Sequence, residues 1–204
     1  MSSSRRVCVA LAVAVLFLAR GTAAQEEQPA VEPAMSPEMA AEMAAWQEAM
    51  APGPQHEWLA GLAGEWSIDL TMWMEPGGEP TKLVSAASRR MTFGGRFLEE
   101  EVTGEFMGAP FLGRAVTGYD NVTGKWWATW IDNQSTGVMV GEGDRDEETN
   151  TLTMSFATTD PVSGEKRQVK GVTRIHSADH EVHEMWEERG GEMFKSMEMV
   201  YRRE

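Results

Sequence analysis

The residues with the most obvious chemistry lie late in the chain, where His176, His180 and His183 stand beside Asp179 and Glu184. Imidazoles and carboxylates grouped in this way are the donor set of a zinc or other transition-metal site. Their spacing argues against one. Ser177-Ala178-Asp179 reads as a turn. On the strand beyond it His180 and His183 are three apart, so the two-residue alternation of a strand sends them to opposite faces. Histidines at a solvated turn are the expectation, and no metal is assigned. Methionine is abundant, with 15 in the chain. Met72 with Met74, and Met197 with Met199, share strand faces and would offer thioethers to Cu(I), but an adaptable apolar interior accounts for them more simply. No Gly-x-Ser-x-Gly or His-Glu-x-x-His pattern is present, and Gly94-Gly95 and Gly190-Gly191 read as hairpin turns, not phosphate loops. The single cysteine, Cys8, sits in an N-terminal apolar run, which leaves no thiol catalysis and no disulfide for the folded part.

Polar residues set among apolar strand segments are the better clue to a site. Arg89, Arg114, Tyr119, Asp132, Glu184, Glu198 and Tyr201 are of this kind. A charge there either faces water or needs a partner inside. Those that point inward would give an apolar pocket a few orienting groups, which is the usual build of a small-molecule site.

The elements that would position them follow from periodicity. After His56 the apolar spacing becomes two: Trp66, Ile68, Leu70 and Met72 share one strand face and Glu65, Ser67, Asp69 and Thr71 the other. Turn signals recur from Pro76-Gly77-Gly78 to Gly190-Gly191, separating strand-length segments such as Lys125–Asp132, Thr151–Thr159, Arg167–His176 and Met193–Arg202. This predicts an all-β, antiparallel sheet of about ten strands, since no connection is long enough for the crossover helix of a parallel sheet. A sheet of that size tends to curl, and closure into an up-and-down barrel removes its edges. On the segment Lys125–Asp132, Trp126 and Trp130 fall on one face and Trp127 on the other.

Upstream of the strands, Arg5-Arg6, the apolar run Val7–Ala19 and the small residues up to Ala24 read as a secretory signal peptide over 1–24, so the protein is expected to be exported to a periplasm or to the medium. Residues 25–36, rich in Glu, Pro and Ala, read as a flexible linker. Ser36-Pro37 then opens a helix over 37–51, with Met35, Met39, Met43, Trp46 and Met50 as one stripe expected to pack on the barrel, and residues 52–204 form the barrel domain. The 204 residues carry a net charge of −14, which makes nucleic acid or an anionic membrane surface an unsuitable partner. No span of membrane is expected after the signal peptide.

Several motifs are familiar together. His56-Glu57-Trp58-Leu59-Ala60-Gly61-Leu62-Ala63-Gly64-Glu65-Trp66, Gly94-Gly95-Arg96-Phe97-Leu98, Pro110-Phe111-Leu112-Gly113 running to Gly118-Tyr119-Asp120, Trp130-Ile131-Asp132, and Phe194-Lys195-Ser196-Met197-Glu198 with Tyr201 resemble the bacterial family known as domain of unknown function 1579. The resemblance spans roughly Met39 to Arg203 and implies a lipocalin-like (calycin-like) antiparallel barrel, frequently exported, to which the spacing above adds the N-terminal helix. It brings no catalytic residue and no cofactor. His183 is weighed as a single haem ligand and set aside, because nothing around it resembles the haem-binding calycin barrels.

The function expected from all of this is binding of a small apolar or amphipathic molecule inside the barrel. The residues assigned to it are Trp66, Leu70, Met72, Arg114, Tyr119, Trp130, Glu184, Trp186, Glu198 and Tyr201. An enzyme built on an Arg/Asp/Glu/Tyr set in the same interior, and a protein-interaction module using the helix and an exposed Trp, are the alternatives.

Overall fold

The computed structural model describes residues 35–160 and 163–204. The signal peptide and most of the linker expected from the sequence lie outside the described residues. Ser36 caps α1 (Pro37–Met50), its Oγ accepting from the Met39 amide at 3.2 Å. A second helix, α2 (Pro54–Gly61), follows at once. Ten strands come next: β1 (Gly64–Met72), β2 (Thr81–Thr92), β3 (Phe97–Phe106), β4 (Ala109–Asp120), β5 (Lys125–Asp132), β6 (Met139–Asp146), β7 (Thr151–Thr159), β8 (Lys166–Ser177), β9 (His180–Arg189) and β10 (Glu192–Arg203).

Every strand pairs antiparallel with its neighbour in sequence, and β1 pairs with β10 to close the barrel. Short turns make this economical, because each hairpin fixes the register of the next strand. The closing pair is long, running from Trp66 opposite Arg203 to Met72 opposite Met197. Register then decides what points inward. Trp66, Ile68, Leu70 and Met72 face the interior as the alternation predicts, and across the barrel Ala128 and Trp130 on β5 and Met154 and Phe156 on β7 do the same. Large rings fit because glycines stand beside them. A Cβ at Gly113 would lie 2.4 Å from the Trp130 ring, and one at Gly141 would lie 2.4 Å from that of Phe156.

The two ends of the barrel differ. One is stoppered by α2, whose Leu59 is fully buried among Leu98, Trp126, Leu152 and Phe156. Polar and aromatic contacts hold the stopper. Trp58 packs edge-on against Trp126, centroids 5.0 Å apart, and donates from Nε1 to Asn150 Oδ1 at 3.0 Å. At the other end of α2, Arg203 from β10 donates to the carbonyls of Gly61 and Ala63 at 2.8 and 2.5 Å. The sequence pattern does not predict this helix: the first helix is expected to stop at Pro52-Gly53-Pro54 and the strand spacing to begin after His56.

The packing expected of α1 is not found. Its stripe is exposed, with Trp46 at 61 % and Met39 at 54 %, and the helix buries no residue. What ties it to the barrel is its last turn, where Asn121 donates to the carbonyls of Ala49 and Ala51 and Arg96 to that of Met50. Three bonds to free C-terminal carbonyls satisfy backbone groups; they bury no apolar face.

Candidate functional site

Above α2 the interior is not filled. A cavity of about 400 Å³ extends from Leu59 toward the opposite end, where Phe106 at the end of β3, Asp132 at the end of β5 and Gln134 in the following loop reach it. That end is its mouth. The wall is largely apolar: Leu70 and Met72 from β1, Phe111 from β4, Trp130 from β5, Met154 and Phe156 from β7, Met197 and Met199 from β10. Trp130 stacks on Phe111 with centroids 6.3 Å apart, and its Nε1 donates to Asp132 Oδ2 at 2.8 Å, so the indole is fixed in the wall.

One sector of the wall is polar and deep. Arg89 stands opposite Gly64, the first residue of β1, which places it near the α2 end. Its Nε donates to Glu100 Oε1 at 2.8 Å and its Nη2 to Glu181 Oε1 at 2.6 Å. The guanidinium lies over the rings of Tyr201 at 4.4 Å and Trp66 at 5.2 Å, a cation–π arrangement desolvated on both sides. Burial opposes the charge on Arg89, but Glu100, Glu181 and Tyr201 outweigh it and raise its pKa well above the ordinary guanidinium value. Burial likewise raises the Tyr201 phenol far above its ordinary range, helped by Glu100. Glu181 is 1 % exposed, and its second oxygen, Oε2, is buried with no hydrogen-bond partner among the described residues.

His183 completes this sector. Its Nδ1 lies 2.7 Å from Thr173 Oγ1 across the β8–β9 pair, and its side chain lines the cavity. Burial lowers its pKa to about 4, against the pull of Glu100 and with the push of Arg89, so the imidazole is neutral at pH 7. A hydroxyl beside an imidazole is the skeleton of an activated nucleophile, but a base with a pKa near 4 is poorly matched to neutral pH.

The sequence-assigned residues divide by strand face. Leu70, Met72, Trp130 and Tyr201 line the cavity. Trp66 points inward but packs behind Arg89, and Tyr119 packs at the α2 end against His56 and Trp126. The remaining four are on the outer wall, which corrects the expectation that Arg114 and Glu198 anchor a ligand from inside. Arg114 pairs with Glu101 at 2.6 Å on the exposed face of β3 and β4. Glu184 and Glu198 stand opposite one another on β9 and β10, outside the inward His183 and Met199, and share Lys195; Arg174 closes on Glu184 at 2.6 Å. Burial opposes ionisation of Glu184, but Arg174 and Lys195 hold its carboxyl below the usual range. Trp186 follows the inward Met185 and so takes the outer face. His176 and His180 stack at the β8–β9 turn with centroids 5.0 Å apart, away from His183.

Sequence reading passes over Glu100, Glu181 and Thr173, and values Arg89 and His183 too low. A signal for Glu100 was present: it lies two residues from both Leu98 and Val102, which are buried on the same face.

Among the described residues no helix is long and apolar enough to cross a membrane. Comparison with solved structures finds Rv2717c from M. tuberculosis, similar over 76 % of this chain and 99 % of that one with a TM-score of 0.55 and 13 % sequence identity. An identity this low shows a shared fold alone. No curated protein matches the sequence. The family model described as "Protein of unknown function (DUF1579)" matches residues 51–203, from the residue before Pro52 through α2 and all ten strands, and the chain belongs to that family.

Proposed function

We propose that this barrel is a carrier or receptor for a small amphipathic molecule, held in the interior without covalent chemistry. The observation that supports the reading is the cavity of about 400 Å³, apolar over most of its wall and polar in one deep sector, open at the end away from α2. That volume lies in the lower part of the usual ligand-pocket range, and an apolar wall with a few convergent polar groups is the usual build of such a pocket. Export, read from residues 1–24, belongs to the same proposal: the binder works outside the cytoplasm. N-terminal sequencing of protein recovered from an extracytoplasmic fraction should begin at Gln25.

The test of binding is native mass spectrometry of protein purified without denaturant, joined to tryptophan emission during titration with uncharged apolar probes. Retained non-protein mass, or a saturable emission change, is the expected result. A bare protein mass and no saturable change with any probe would leave the cavity as unfilled packing space and remove this reading.

A further inference from the structure

The charged groups that line the cavity are unequal in sign. Four are carboxylates, Glu100, Glu105, Asp132 and Glu181, and among the described residues Arg89 is the single cation facing them. His183 does not redress the balance, because it is neutral near pH 7. Nor is Arg89 free to receive an anion. It already bridges two carboxylates, and its faces are covered by Trp66 and Tyr201. Glu181 keeps one oxygen buried with no donor among the described residues to satisfy it, a state that is costly unless something supplies a proton donor or a positive charge.

We infer that the occupant is a cationic amphiphile, an organic ammonium on an apolar body, which enters with its charged end toward Glu100 and Glu181 and leaves its apolar body against Trp130, Phe111, Leu70 and Met199. This rests on the binding function proposed above and names the class of molecule bound. Three features favour it over a fatty acid, the default guess for such a barrel. A carboxylate placed at the floor would meet Glu100 and Glu181, and like charges in a low-dielectric interior repel strongly. Asp132 and Glu105 near the mouth would meet it first. At long range the chain's net charge of −14 draws cations and repels anions. An ammonium, by contrast, gives the orphaned oxygen of Glu181 a donor and can also rest on the aromatic wall of Trp130 and Phe111.

The test is a matched set of ten-carbon probes, decylammonium, 1-decanol and decanoate, titrated into the intact chain at pH 7 by calorimetry. The expected order is decylammonium tightest, by about tenfold or more over decanol, with decanoate weakest. The preference for the ammonium should persist at high salt, since a buried pair is screened little. In Glu100→Gln the preference for decylammonium over decanol should shrink toward parity. Decanoate or decanol binding as tightly as decylammonium to the native chain overturns the inference while leaving the binding function standing. Failure of all three probes overturns the inference, and together with a bare protein mass in the native spectrum it overturns the binding function too. The comparison on the native chain decides the matter even if the variant does not fold.

Discussion

Arg89 of β2 and Glu181 of β9 meet inside the barrel at 2.6 Å although they lie 92 residues apart and two strands, β1 and β10, run between them. Those two strands are the first and last of the barrel. The guanidinium reaches across the closing seam, resting on Trp66 from one side of it and Tyr201 from the other. With Glu100 of β3 as its second carboxylate, a single buried cation therefore binds together five strands at the place where the sheet has to find its own beginning.

Removing that cation should be expensive. Arg89→Met leaves Glu100 and Glu181 without a counter-charge, and breaking a buried pair from one side costs about 3 to 5 kcal/mol. Adding Glu100→Gln and Glu181→Gln should recover much of the loss, because the uncompensated charges go with them. Arg114→Ala, on an ion pair whose side chains are 62 % and 41 % exposed, should cost about 1 kcal/mol or less. Urea unfolding of the set checks the order, and a mild Arg89→Met would contradict the role given to the seam.

Acid should destabilise the barrel partly through His183. Its pKa is about 4 in the folded chain against 6.5 for a free imidazole, so between those values the unfolded chain binds the additional proton. Stability therefore falls as pH drops from 6.5 to 4, by about 3 kcal/mol from this group, and is restored as pH rises. Groups that titrate elsewhere cancel when native protein and His183→Gln are compared. The difference between their stability curves should slope across that window and flatten above pH 7.

The two helices should behave oppositely on removal. A chain beginning at Pro52 loses α1 with its exposed stripe and three hydrogen bonds, and its melting should hardly change. Leu59→Ala, which empties the middle of α2's contact with the core, should cost about 2 to 5 kcal/mol. Calorimetric melting of both variants is the measurement; a large loss on removing α1 would mean that its stripe is covered in solution.

Trp130 should report occupancy. It stands in the cavity wall, whereas Trp46 is on the exposed helix and Trp66 lies behind Arg89. Decanol bound inside should shift native emission, and Trp130→Phe should lose most of that shift while keeping the affinity within a few-fold. Gly113→Ala places a methyl where the indole now lies, 2.4 Å away, so the ring must swing and the probe should bind more weakly. An unchanged response in Trp130→Phe would place the probe beside Trp58 at the α2 end, or outside the cavity.

The barrel was legible because its signals are local. Alternation over Trp66, Ile68, Leu70 and Met72 and glycine-bearing turns are enough to count strands, and the segments Lys125–Asp132 and Thr151–Thr159 coincide with β5 and β7. α2 was not legible, since eight residues between Pro54 and Gly61 are too few to establish a period and their burial comes from the barrel they plug. The polar site was half legible for a related reason. On β3, Glu99, Glu100 and Glu101 follow one another, and the local alternation from Leu98 to Val102 that sends the middle one inside is hidden within a run of three charges. On β9, charge occupies both faces, so Glu184 and Glu181 look alike until the pairing with β8 and β10 separates them.

The stopper at one end makes the interior a blind alley. A molecule held there leaves by the way it came, and a competitor cannot push it out from behind. Exchange is then strictly sequential, departure before arrival, and the observed exchange rate should be independent of how much competitor is present. Chase experiments that quicken with competitor concentration would mean that α2 lifts, turning the dead end into a passage.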